Sequence, residues 1–407
     1  MHMRKMRVVQ FVACLSLVAA ATVLSHHVQP VAAGGVETGY RVLKPIESGD
    51  LTLFPVVRAD ARSLPANEFL TLDEGFKSGE VEVTEYGKVR GLVRSRGGIA
   101  TPRYQGDQVN TLVLVNNSKR PLLLLAGEIV TGGKQDRIIA KDRIVPAGAD
   151  PIDLSVFCVE HGRWTESSDK FGATAHNEAK SFMVQPAVRQ QAMVAKDQQQ
   201  VWNAVGGAIS NMAVAASPPP VGSAAETVTI DGSSVGTVHG SAASLGTTSY
   251  AKAMQSSPVS AKVDQESAGL LQSREAALAT LRQEHAIGVV VAVRGEIIWA
   301  DLFSDPELLS RYWVKLVRSY AAEGLGGGPS HSTASVADAQ AFLDAPSHGR
   351  EDSEGEVGVY RVREIKSNGT DLFALESLLP GTGYDVHISK LKLKASLMVP
   401  ISRTPNF

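Results

Sequence analysis

At 81–85 the chain reads Val-Glu-Val-Thr-Glu, an alternation with the two-residue period of a strand wet on one face. The same period recurs near the end, where Leu391, Leu393, Ala395, Leu397 and Val399 alternate with Lys390, Lys392 and Lys394 on a wet face. Shorter apolar runs at 51–57, 111–115, 122–125 and 154–159 predict further strands, and Pro55 places the first at an edge or a bulge. The runs 111–115 and 122–125 flank Asn116-Asn117-Ser118-Lys119-Arg120-Pro121, which predicts a hairpin with a polar turn. A second hairpin is predicted over 287–299, around Arg294-Gly295. Residues 370–375 supply another strand, while 324–328 and 348–356 read as punctuation.

Helical spacing marks three longer stretches. Over 185–205, Pro186 suits a first turn, and Val188, Ala192, Ala195, Gln199, Trp202 and Val205 fall near one face before Gly206-Gly207 offers an end. Residues 264–285 carry a stripe of Leu270, Leu271, Ala277, Leu278 and Leu281. The third begins at Asp305 as N-cap with Pro306 and Glu307 behind it, buries Leu308, Leu309, Tyr312, Trp313, Leu316, Val317 and Tyr320, and stops at Gly324. A short helix is expected within 67–76, stopped near Gly79. Between the first two long stretches, 217–260 holds Pro218-Pro219-Pro220 and many Gly, Ser, Ala and Thr residues, so a flexible insertion is expected. The fold class is therefore α+β: an antiparallel sheet or partly closed barrel core with about three packed amphipathic helices, its one domain running over 34–216 and resuming over 261–407.

Charge and composition narrow the partners. A net charge of −2 and an aromatic content of 6% leave neither the basic footprint nor the stacking platforms of a nucleic-acid binder. Arg4, Lys5 and Arg7 precede an apolar run over 8–24, and Val31-Ala32-Ala33 places small residues before Gly34. That is the layout of a secretory signal peptide over 1–33, cleaved near Ala33. The run is short for a span and contains Gln10 and Ser16, so export to the periplasm or beyond, with no membrane attachment after cleavage, is expected. Cleavage removes Cys14 and leaves Cys158 without an intramolecular disulfide partner, so stability must come from the core. Cys158 reads as a buried strand residue; His161 is too close in sequence to be the usual distant partner of a nucleophile.

Charged residues, glycines and short apolar runs alternate most tightly over 116–164. Seven bases (Lys119, Arg120, Lys134, Arg137, Lys141, Arg143, Arg163) sit among six acids (Glu128, Asp136, Asp142, Asp150, Asp153, Glu160), a balance that favours internal pairing. Ala126-Gly127-Glu128, the Gly132-Gly133-Lys134-Gln135-Asp136-Arg137 block, and Cys158-Val159-Glu160 with Gly162-Arg163-Trp164 resemble the ARG and Rhodanese-Phosphatase-superfamily-associated Protein domain family. The likeness extends through Gln200-Val201-Trp202 to 288–320, most of the chain beyond the leader. The family name records an association with gene neighbours or domain partners, so the resemblance implies a domain and no activity.

Three functions stay open for this centre. In a binding module, Gly132, Gly133, Lys134, Gln135, Asp136, Arg137, Glu160, Arg163 and Trp164 would take an anionic or sugar-like small ligand, with arginine forks on its oxygens and the indole stacked on a ring. In a hydrolase, Glu128, Asp136 or Glu160 would act as acid and base. In a scaffold, these acids pair with Arg137, Arg143 and Arg163 to hold a crowded sheet. An exposed concave cluster with unpaired Arg137 and Arg163 favours the first, two carboxylates across an open cleft the second, and charges all paired and buried the third. The ten histidines form no HxH, HxxxH or HExxH spacing, so neither a metal nor another cofactor is expected. Asp301, just ahead of the third helix, is expected to cap that helix or complement its dipole.

Overall fold

The computed structural model describes residues 39–59, 69–85, 111–163, 165–175, 177–217, 226–230, 233–238, 245–271, 274–327, 333–347, 349–367 and 369–393. The expected signal peptide, its cleavage point and Trp164 lie outside them, as do parts of 217–260 and all residues after Leu393.

Among the described residues the largest element is a nine-stranded antiparallel sheet. Its order is Tyr40–Val42, Leu51–Arg58, Ala286–Val293, Glu296–Phe303, Asp385–Lys392, Thr370–Ser377, Tyr360–Ser367, Arg350–Glu356, with Ile46–Ser48 also paired to Leu51–Arg58. The predicted hairpin closes through Arg294 and Gly295, both at positive φ (50° and 72°), the conformation that matches strand twist. The Pro55 strand is interior, not an edge, and a register shift opposite Val56 and Val57 supplies the bulge alternative. Residues 348–356, read as punctuation, contain instead the outermost strand Arg350–Glu356; its charged sequence is typical of a protected edge.

A six-stranded sheet (Lys170–Phe171, Val81–Glu85, Thr111–Asn116, Ile152–Cys158, Arg137–Ile139, Ile129–Val130) and a three-stranded one (Arg143–Val145, Leu122–Leu124, Leu70–Thr71) complete the core. The pairing is mostly antiparallel, Leu70–Thr71 running parallel to Leu122–Leu124, and one sheet is nearly closed and barrel-like, so the α+β class holds. The predicted 111–125 hairpin does not form. Thr111–Asn116 pairs with Val81–Glu85 and Ile152–Cys158, while Leu122–Leu124 pairs with Arg143–Val145 in the other sheet. The cause is Asn116, whose buried amide donates to the carbonyls of Arg120, Val145 and Pro146 and pins the connection as a corner.

The helices are shorter and more numerous than three. The 185–205 stretch divides into an α-helix over Pro186–Gln190, a π-helical turn over Gln191–Ala195, and an α-helix over Gln198–Ala216. Lys196 at φ 53° breaks the run, and the Asp197 side chain caps the next helix at Gln200 N. Gly206 and Gly207 do not end that helix, because Ala208, Met212 and Ala213 prolong its buried face. The 264–285 stretch likewise becomes Ser257–Glu266, Ala268–Leu271 and Arg274–Gln283. The Pro306–Gly324 helix forms as its signals require, with Asp305 accepting from Leu308 N at 2.9 Å. Within the expected insertion, Tyr250–Gln255 is a helix whose Tyr250, Ala251, Ala253 and Met254 are buried, so its far end belongs to the core.

Candidate functional site

Gly132 (φ 134°) and Gly133 (φ 50°) let the chain fold tightly over Phe171; a Cβ on Gly133 would lie 2.3 Å from that ring. The turn aims its polar groups inward. Asp136 accepts from Gly132 N (3.1 Å) and from the Ser249 hydroxyl (2.8 Å). Glu160 accepts from Asp136 N (3.3 Å), Arg163 Nε (2.7 Å) and Lys252 Nζ (3.1 Å). Arg163 also donates to the carbonyls of Gly133 and Thr165. Arg137 is 1% exposed and donates to Gln135 O at 2.5 Å, with Glu85 at 3.9 Å. Burial raises the Asp136 carboxyl, while around Glu160 the effect of burial is outweighed by Arg163 and Lys252, which hold it low.

The structure thus brings Gly132, Gly133, Asp136, Arg137, Glu160 and Arg163 together, with the partly exposed Lys134 beside them, but in the paired and largely inward arrangement associated with a scaffold. Gln135 departs from that pattern: its amide is wholly buried, with neither atom hydrogen-bonded among the described residues. Glu128 stands apart. It is 0% exposed, takes Lys315 Nζ at 2.6 Å and Leu125 N at 2.8 Å, and does not face Asp136 or Glu160 across a cleft. Arg143 reaches out to Asp153 O and Glu356. Cys158 is buried, which raises its thiol, and the His161 ring packs edge-on to Trp202 at 4.8 Å.

The feature missed from sequence lies on the inner face of the large sheet. Strand register sets Asp352, Glu364, Phe373, Ser389 and Asp301 in one cross-strand row, and Glu354, Val362, Leu375, His387 and Phe303 in the next. Asp301, placed by sequence as a helix-flanking acid, is instead the hub of a network with no exposed member. Arg189 grips it at 2.8 and 3.2 Å, Ser389 donates at 2.8 Å, Tyr320 donates as well, and His387 Nε2 stands at 3.2 Å. His387 Nδ1 contacts Asp142 at 2.5 Å, and Asp142 also accepts from Ala126 N. Gly127 is glycine because a Cβ would sit 2.3 Å from the Arg189 stem. Burial would neutralise these groups, but their partners win: Asp301 is held well below the carboxylate range and His387 is pushed up to about 9.

That balance makes the network sensitive to alkali. The folded-state value of His387 exceeds its ordinary 6.5, so its contribution is complete below pH 6.5 and fades as pH rises through about 9. Denaturant unfolding at pH 7 and pH 10 should show a loss that a His387→Gln variant, already without the charge, does not share. An equal loss in both would assign the alkaline sensitivity to other groups.

Above the network lies a cleft of about 460 Å³. Its floor includes Asp142, its sheet wall carries Asp352, Glu354, Val362, Glu364, Lys366 and Phe373, and its opposite wall carries Lys141, Ser155, Phe157, Ala192, Met193 and Lys196. The π-helical turn and the left-handed Lys196 shape that wall, and such turns recur at functional sites. Lys141 meets Glu354 at 2.6 Å, Lys196 meets Glu364 at 2.7 Å, and Lys366 lies 3.2 Å from Glu364. The sequence offered no pointer to this place: Val362, Glu364 and Lys366 share one strand face without alternating in polarity, and residues from five other segments close over them.

Fold and site together define an α+β protein whose paired sheets enclose an ion network beneath a mixed polar and apolar cleft. The chain belongs to the ARG and Rhodanese-Phosphatase-superfamily-associated Protein domain family, whose model matches residues 39–391. No curated protein and no solved structure matches it.

Proposed function

We propose that this protein is a binding module for a neutral, sugar-like small molecule held in the cleft above Asp142. The carrying observation is the lining. Phe157, Phe373, Met193 and Val362 give an apolar surface, around which three lysines (Lys141, Lys196, Lys366) meet three acids (Asp352, Glu354, Glu364). The remaining acid, Asp142, is matched by His387. A balanced wall gives a polyanion no net attraction, while alternating donors and acceptors suit hydroxyl groups and the phenyl faces suit the apolar side of a ring. The cleft volume falls within the usual ~300–1,000 Å³ of small-molecule sites.

Thermal melting against monosaccharides, oligosaccharides, nucleotide sugars and polyanions tests this reading. A ligand at ~100 times its Kd stabilises the fold by about 2.7 kcal/mol. The expected result is a shift with neutral sugars that is lost in Phe157→Ala and kept in Gln135→Ala. Loss in Gln135→Ala alone would return the site to the Gly132–Arg137 turn. A shift with polyanions only would reject the neutral ligand.

A further inference from the structure

We infer that the edge strand Arg350–Glu356 is a gate on the cleft, held shut by ion pairs that cross it and opened as those pairs are loosened. The cleft needs such a part. Of the apolar residues that line it, Met193 is 3% exposed, and Val362 and Phe373 are each 5% exposed. A ligand that is to lie on these side chains must first move a wall aside.

One strand of the wall is built to move. Arg350–Glu356 is outermost, so it pairs with Tyr360–Ser367 and has no second strand neighbour among the described residues. None of its seven side chains is buried, and only Asp352 is even partly covered. The adjacent Tyr360–Ser367, by contrast, buries Tyr360, Val362, Glu364 and Ile365. Segments with little buried apolar surface open at a small fraction of the free energy of global unfolding. The turn between the two strands supplies the hinge, with Val357 fully exposed and Gly358 at φ 74°.

Two ion pairs tie this strand to the segment across the cleft. Lys141 meets Glu354 at 2.6 Å. Arg143, which also donates to Asp153 O at 2.7 Å, approaches Glu356 at 3.6 Å. Glu354 and Glu356 share one face of the strand, and both are half-exposed, so salt screens their pairs. Lys196 also crosses the cleft, to Glu364 at 2.7 Å, but Glu364 is buried on the neighbouring strand and holds the fixed part of the wall. The gate rests on the reading of the cleft as a ligand site, yet its opening can be measured with no ligand present.

Val362 supplies the reporter, since it lines the cleft and stands opposite Glu354 in the strand register. A Val362→Cys variant of the full chain is labelled with iodoacetamide, a small neutral reagent, with the parent chain as blank. Labelling is compared at about 0.01 M and about 1 M sodium chloride, between which the screening length falls from about 30 to about 3 Å. It should be roughly fivefold faster at high salt, the effect of weakening two exposed pairs, and fast at both salts in a Lys141→Met, Arg143→Met background. Hydrogen exchange over 350–356 in the parent chain, taken relative to 360–367, should quicken by a similar factor and decides the outcome should Val362→Cys fail to fold. Labelling that ignores both salt and the double variant, or relative exchange over 350–356 unchanged by salt, would overturn the gate. Salt-dependent labelling with no sugar-induced shift in melting would leave the gate standing and reject the sugar-like ligand alone.

Discussion

Asp301→Ala should cost about 3–5 kcal/mol of stability, the range for removing one partner of a buried ion pair. The carboxylate is the common acceptor of Arg189, Ser389 and Tyr320 and the neighbour of His387, and none of these side chains has access to water. Its removal leaves the Arg189 guanidinium in the core with the Trp299 face as a poor substitute. Ser389→Ala removes a single hydroxyl from the same cluster and should cost only about 1 kcal/mol. Urea unfolding of the two variants side by side separates a charge effect from a packing effect. A loss under about 1 kcal/mol for Asp301→Ala would mean that water reaches the network on mutation and repairs it.

Lys315→Met should be comparably damaging, again by about 3–5 kcal/mol. Lys315 projects from the middle of the Pro306–Gly324 helix between Glu128 (2.6 Å) and Asp73 (2.8 Å), which together override the effect of burial and keep it charged. Without it, Glu128 is an isolated carboxylate with no exposed surface. Burial already raises Glu128, and losing Lys315 raises it further. The folded variant therefore holds a proton that the unfolded chain releases, so its deficit should shrink as pH is lowered from 7 to 5. The double variant Lys315→Met, Glu128→Gln should recover much of the stability at pH 7, since a neutral amide oxygen can still accept from Leu125 N. A double variant no more stable than the single one would show that packing of the lysine stem, not the stranded charge, sets the loss.

The parts of this fold that were legible in sequence are those written by local rules. Asp305-Pro306 starts a helix and Arg294-Gly295 turns a hairpin because the preferences involved act over a few residues. The strands at 111–116 and 122–124 were also recognisable, but their pairing was not. The partners lie at 152–158 and 143–145, and an apolar run does not encode which sheet it will join. The candidate site shows the same division. The dense charge of 116–164 did predict a pairing centre, yet Asp142 found its partner at His387, in a strand whose lysines had suggested a wet face. One of those lysines, Lys390, is buried and donates to the carbonyls of Leu343 and Ala345 at the end of the Val336–Asp344 helix.

The ion network has a further consequence for the order of assembly. His387 lies 245 residues beyond Asp142 and 86 beyond Asp301, and Arg189 lies 112 before Asp301. A nascent chain that has not yet emitted its last described strand carries the two acids and the arginine without the cation that joins the sheets. Contacts so distant in sequence form late and slowly. Synthesis must therefore pass the Asp385–Lys392 strand before these charges are neutralised together, and a product truncated ahead of it, however apolar its core, would keep a charge imbalance where the folded protein is most tightly closed.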